Sequence, residues 1–217
     1  MNITPAILPH SFEEITEKLS RVEGLASRVQ IDICDGIFGR EKTWLPEGTE
    51  TLPPGFSYEF DVMLEDWKLP TLHCLSLGSK CIVAHVDMFT DDDVTTLVSM
   101  VAPHSAWLGI AVSNDKGLDF HAEMIRKVRA LYPHIFIQVM GITNIGEQGQ
   151  MFDGSVPERV KALKLQFNDL NIQVDGGMTP ETAKLVQDAG AETIVSGSYI
   201  FGRDVVSAMS ALRNVCG

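Results

Sequence analysis

The chain has 217 residues, 45% of them hydrophobic and 21% charged, with a net charge of −12, which are the proportions of a globular protein with a substantial core. The acidic balance argues against nucleic acid as a partner, because a phosphate backbone needs a basic face, and no apolar run is long enough to span a membrane. Cys34, Cys74, Cys81 and Cys216 show no CxxC spacing and the opening MNITPAILPH has no basic region leading into a long apolar run, so reduced thiols, no signal peptide and a cytoplasmic location are expected.

Apolar runs and amphipathic stretches alternate along the chain. A strand over Ile3–Ile7 leads to a helix over Ser11–Val22, opened by the S-x-x-E capping box of Ser11 and Glu14. A strand over Arg28–Ile33 follows. The next crossover, Gly48–Gly55, is rich in Thr, Pro and Gly, so its helix is expected to be vestigial. Strand Tyr58–Leu64 and helix Asp66–Leu77 come next, then Cys81–His85 with Asp91–Met100 and Trp107–Val112 with Phe120–Leu131. Ile135–Met140 with Pro157–Phe167, Ile172–Asp175 with Thr179–Ala189, and Thr193–Ser196 with Asp204–Asn214 complete the series. Thr179 suits an N-cap and Pro180 the first helical position. Eight βα units predict a parallel sheet, and that number fits a closed (β/α)₈ TIM barrel better than an open sheet. No linker, repeat or low-complexity tract interrupts residues 1–217, so one barrel domain is expected.

Chemistry in such a barrel sits at the C-terminal ends of the strands. Asp32 and Asp35, Asp61, His85 and Asp87, and Asp175 fall there. Residues two apart on a strand share a face, which groups Gln30 with Asp32, Gln173 with Asp175, and Glu59 with Asp61 and Met63. Asp32 and Asp175 lie on strands far apart around the ring, so they are expected to face each other across the mouth, an arrangement suited to acid–base work on opposite faces of one carbon. Each polar residue also has a purely structural reading. Asp35-Gly36 reads as a turn, Glu59 and Asp61 as buried carboxylates paired with Arg28, and His85 as a satisfied interior histidine. The turns at Gly176-Gly177 and Gly197-Ser198 follow the last two strands, the usual phosphate seat of the fold. The segment Gly141–Asp153, with Gly146 and Gly149, reads as either a lid or a plain solvated connection.

These residues together resemble the ribulose-phosphate 3-epimerase family. Pro5-Ala6-Ile7-Leu8 is similar to its opening P-S-I-L, and Ile31-Asp32-Ile33-Cys34-Asp35-Gly36 to H-x-D-x-M-D-G. Asp61-Val62-Met63-Leu64 stands where the family has D-V-H-L, and Ala84-His85-Val86-Asp87 resembles V-H-x-E. Met140 to Phe152 resembles the mobile loop M-x-V-x-P-G-F-G-G-Q-x-F with one residue more, and the closest matches are Val174–Gly177 and Ser196–Gly202. The resemblance implies a (β/α)₈ enzyme that inverts C3 of a ketopentose phosphate. Asp32 and Asp175 would be the two bases, and the phosphoryl group would lie by Gly146, Gly149, Gly176, Gly177, Gly197 and Ser198.

The resemblance also implies a divalent metal held by two histidines and two aspartates. Asp32 and Asp175 are the residual ligands, while Gln30 and Met63 stand at the histidine positions. Neither replacement suits zinc, so no metal or a weakly bound divalent ion is expected, and tight zinc is not. Gln30, Gln173 and His85 are then the candidates for oxyanion or polar support, and one of two adjacent carboxylates is expected to hold a proton. The expected partner is a phosphorylated ketose, and self-association into a homo-oligomer is left open. The alternative function is a phosphosugar-binding barrel that has lost the metal site and its catalysis. An aldol or decarboxylation catalyst is disfavoured, because Lys80 precedes its strand and no lysine falls at a strand's C-terminal end.

Overall fold

The computed structural model describes residues 1–216. Eight parallel strands, β1 (Asn2–Ile7), β2 (Arg28–Cys34), β3 (Ser57–Met63), β4 (Cys81–His85), β5 (Trp107–Val112), β6 (Ile135–Met140), β7 (Ile172–Asp175) and β8 (Thr193–Ser196), close into a barrel in sequence order. Around it lie α1 (Phe12–Val22), α2 (Lys68–Ser76), α3 (Asp91–Val101), α4 (Leu118–Leu131), α5 (Val156–Gln166), α6 (Pro180–Ala189), the short α7 (Ser198–Phe201) and α8 (Val205–Cys216). Every expected strand forms, within a residue of its expected bounds. The β2–β3 crossover forms no helix, as its Thr, Pro and Gly predict, and α7 was not foreseen.

The strand alternation divides the barrel into two environments. One set of side chains, including Ile7, Ile31, Phe60, Ile82, Leu108, Ile137, Val174 and Ile194, packs outward against the helices as the main core. The other set faces the barrel axis. Its lower layer is a small apolar plug of Cys81, Val83, Ala111 and Phe136. Gly109 makes room for this plug, since a Cβ there would stand 2.5 Å from Phe136 Cζ. Above the plug the axis is polar.

Local chemistry fixes the loops that carry the site. Thr179 and Thr182 cap α6 reciprocally, with Pro180 in the first turn, a contribution of about 1 kcal/mol. Thr182 Oγ1 also donates to Gly177 O at 2.8 Å, so the same cap holds the glycine turn after β7. At α1 the expected box is half formed. Ser11 accepts from Glu14 N–H, but the Glu14 carboxylate takes the His10 N–H rather than that of Ser11. Asp35 is the turn residue its sequence suggests, accepting from Ile37 and Phe38 N–H at 2.8 and 2.9 Å and tying in Glu65 N–H at 2.7 Å.

Candidate active site

Asp32, Asp61 and Asp175, from β2, β3 and β7, meet on the barrel axis at its C-terminal mouth. All three are buried, with one carboxylate oxygen of each within 4.8 Å of the others. Asp32 and Asp61 are register partners on neighbouring strands. The expected gap between Asp32 and Asp175 is closed by one amide. Gln30 Nε2 donates to Asp32 Oδ1 at 2.7 Å and to Asp175 Oδ2 at 2.8 Å. An eight-stranded barrel is only wide enough for side chains to fill it, so carboxylates from strands that are not neighbours nearly touch.

Three glutamines organise this cluster. Gln138 Nε2 donates to Asp61 Oδ2 at 2.7 Å and reaches Asp175 Oδ2 at 3.5 Å. Gln173, one layer deeper than Asp175, donates to Glu59 Oε1 at 2.6 Å and Gln138 Oε1 at 2.8 Å. The oxyanion role expected of Gln30 and Gln173 is therefore corrected. Both Gln30 protons are committed to carboxylates, and Gln173 points below the site because a two-residue step along a strand drops it one layer. His85 supports the cluster from the side, its Nε2 2.8 Å from Asp61 Oδ1 and its ring edge-on to Phe38. Glu59 lies 3.9 Å from Arg28, as expected, but Asp61 pairs with His85 and Gln138 instead.

The electrostatics follow from this crowding. Burial, and then the neighbouring charges of Asp175 and Asp61, push Asp32 well above the carboxylate range, against the pull of the Gln30 hydrogen bond. Asp175 is pushed up to about 8, by burial first and the charge of Asp61 second. Burial opposes a charged His85, but the Asp61 carboxylate outweighs it and raises its pKa. Two adjacent carboxylates with raised affinities hold a proton between them near neutrality.

Asp32 and Asp175 line one cavity with Gly146, Gly149, Gly176, Gly177, Gly197 and Ser198. The N–H groups of Gly176, Gly177 and Gly197 have no protein acceptor among the described residues. The segment after β6 closes over this space. Arg40 N–H donates to Ile145 O at 3.0 Å and Glu41 N–H to Gly146 O at 3.1 Å, clasping it to the β2–β3 loop. The cavity holds about 50 Å³, room for a few waters rather than a sugar phosphate, and Gln148, Gly149 and Ser198 at its rim are exposed. Gly146 itself packs against the β2–β3 loop, since a Cβ there would stand 2.8 Å from Cys34 Sγ and 2.9 Å from Gly39 Cα.

Sequence reasoning placed Asp61 at the catalytic end of the barrel but read it as paired with Arg28, and it missed Gln138 altogether. Gln138 is the one polar residue in Ile135–Met140, and that break in an apolar strand was the available signal.

The donors present are hard carboxylate oxygens, with the Met63 thioether in the same cavity and no imidazole among the three clustered groups. That set fits magnesium or manganese and not the nitrogen- and sulfur-rich sites zinc prefers.

Fold and site together define a (β/α)₈ barrel with a buried carboxylate cluster beside the glycine turns that follow its last two strands. Comparison with known proteins narrows this. A model of the Ribulose-phosphate 3 epimerase family matches residues 2–201, and the chain belongs to that family. It is 27% identical to the Ribulose-phosphate 3-epimerase of Bacillus subtilis over 98% of both chains. It is likewise 27% identical to the cytoplasmic isoform from Oryza sativa subsp. japonica, over 95% of this chain and 92% of that one. Among solved structures, a 3-hexulose-6-phosphate synthase superposes with a TM-score of 0.72 at 20% identity over the whole of both chains. The 3-keto-L-gulonate-6-phosphate decarboxylase of Vibrio cholerae does so at 0.72 and 12%, over 99% of this chain and 96% of that one. At these identities the likeness is one of fold. No helix among the described residues is long and apolar enough to cross a membrane.

Proposed function

We propose that the protein epimerises a ketose phosphate at C3 by two-base proton transfer between Asp32 and Asp175. The observation that carries this reading is the meeting of these two carboxylates, with raised proton affinities, in one lidded cavity with the free N–H groups of the glycine turns. The phosphoryl group sits at Gly176-Gly177 and Gly197-Ser198, where backbone donors need no basic side chain. That anchors the sugar so that C3 lies over the carboxylates once the lid has opened and reclosed.

One carboxylate, ionised, takes the C3 proton from its own face, and the other, protonated, delivers a proton from the opposite face. Gln30 adjusts between them, because its two N–H groups hold whichever oxygens carry charge. His85 and Gln138 keep Asp61 in place beside Asp32. A divalent ion at Asp32, Asp61 and Asp175 would supply Lewis-acid neutralisation of the enediolate oxygen when bound. The four cysteines are free and buried, which suits a reducing compartment such as the cytoplasm.

Deuterium incorporation at C3 of ribulose 5-phosphate and xylulose 5-phosphate tests the reading. Wild type should exchange both. Asp32→Asn and Asp175→Asn should each abolish interconversion, with residual wash-out from one epimer only. Absence of exchange with every ketose phosphate, alongside intact binding, would establish a binding barrel instead.

A further inference from the structure

The anion seat lies in a chain of net charge −12, and no lysine, arginine or histidine lines its cavity, which instead includes Asp32, Asp175 and Glu147. A phosphoryl dianion brought here meets repulsion that hydrogen-bond donors must offset. The side chains lining the cavity offer few. Ser196 Oγ is committed to Met178 O at 3.0 Å, and Gln150 Nε2 to Asn144 O and Glu147 O. Only the Ser198 hydroxyl and the Gln148 amide remain without a protein partner among the described residues.

Gln148 is aimed at the seat. A Cβ built on Gly197 would stand 2.6 Å from Gln148 Nε2, so the amide nitrogen lies directly over the turn after β8. The loop is built to hold it there. Gln150 accepts the Asn144 N–H and donates to Asn144 O and Glu147 O, closing the segment into a tight unit. Gly146 and Gly149, with φ of +73° and +79°, turn the chain on either side of Gln148 in a conformation that other residues rarely adopt.

Resting on the phosphate seat proposed above, we infer that Gln148 is a binding and specificity residue: its side-chain amide donates to the ligand's phosphoryl oxygens, so that closure of the lid and recognition of the phosphate are one event. The amide stands over the turn at Gly197, and on binding it withdraws far enough for its N–H groups to meet the incoming oxygens.

Titration calorimetry with inorganic phosphate and with ribulose 5-phosphate tests this on wild type, Gln148→Ala and Gln148→Glu, each first checked for an unchanged melting temperature. Loss of one hydrogen bond to a charged group should weaken both ligands about tenfold in Gln148→Ala, and the anion in Gln148→Glu should weaken them further. Phosphate affinity equal to or tighter than wild type in Gln148→Ala would overturn the inference and make the side chain a plug. Gly197→Val separates the two readings. If it binds phosphate as wild type does, or if wild type binds none, the seat itself is wrong and the role of Gln148 falls with it. If Gly197→Val loses binding while Gln148→Ala keeps it, only the role of Gln148 is overturned.

Discussion

Gln30 on β2 and Asp175 on β7, with β1 and β8 between them in the ring, are joined at 2.8 Å, while the same nitrogen holds Asp32 at 2.7 Å. A single neutral side chain thus keeps two buried carboxylates together. Replacing it with Gln30→Leu removes both donors and leaves the carboxylates facing each other. Chemical denaturation should show a loss of about 2–5 kcal/mol. The deficit should be smaller at pH 5 than at pH 8, because a protonated carboxyl can donate to its neighbour. An equal deficit at both pH values would contradict the bridging role.

The raised affinity of Asp175 sets a stability slope in chelator-treated protein. Its folded value is about 8 against a reference of 3.8. Below the reference both states are protonated. Between the two values the unfolded chain releases a proton that the folded chain keeps. The folded state binds more protons there, so stability falls as pH rises through that window. Asp175→Asn should flatten the fall, and it also relieves Asp32 of a neighbouring charge. Melting temperatures from pH 5 to pH 8 measure this, and an unchanged slope would refute it.

Gly141 is irreplaceable for a reason of space. Its N–H donates to Asp175 O at 2.6 Å, and a Cβ on it would stand 2.1 Å from Gly176 O. Both partners are backbone, so no rotamer relieves the clash. Gly141→Ala should cost about 1–3 kcal/mol and weaken phosphosugar binding by displacing the Gly176-Gly177 turn. Gly154→Ala is the control, since nothing lies within 4 Å of its Cβ position. Equal binding by the two variants would overturn the coupling.

Protein purified without chelator should carry less than stoichiometric zinc, and added manganese should raise the melting temperature through the carboxylate trio. Asp61→Asn should reduce that increase. Elemental analysis showing one zinc per chain, or a manganese effect indifferent to Asp61, would point to a different ligand set.

The barrel was legible in the sequence because strand and helix periods are local, although Val83 and Ala111 face the axis while Ile82 and Ile110 face the helices. Asp32, Asp175 and the glycine turns were legible because each stands at a strand's end beside a turn signal. The relations among them were not. The distance from Asp32 to Asp175 depends on closure of the ring, which strand spacing does not reveal. The amides of Gln30 and Gln173 look alike in sequence, yet one reaches up to the carboxylates and the other lies a layer below them. Gln148 depends on the shape of its loop, set by the Gln150 staple and two positive φ angles that no periodic pattern encodes.

The clasp between the lid and the β2–β3 loop combines two backbone hydrogen bonds, at Ile145 and Gly146, with an Arg40–Glu147 ion pair at 3.9 Å and the packing of Ile145 on Leu8, Cys34 and Met63. Each hydrogen bond has a net worth of about 1 kcal/mol, so the clasp is weak beside the core that holds the barrel. The Gln150 staple lies wholly inside the loop and survives opening of the clasp, so the segment swings as a preformed unit rather than melting and refolding. Such motions fall in the microsecond-to-millisecond range. A disulfide or added contact that strengthens this clasp should therefore lower turnover while leaving the proton-transfer step untouched.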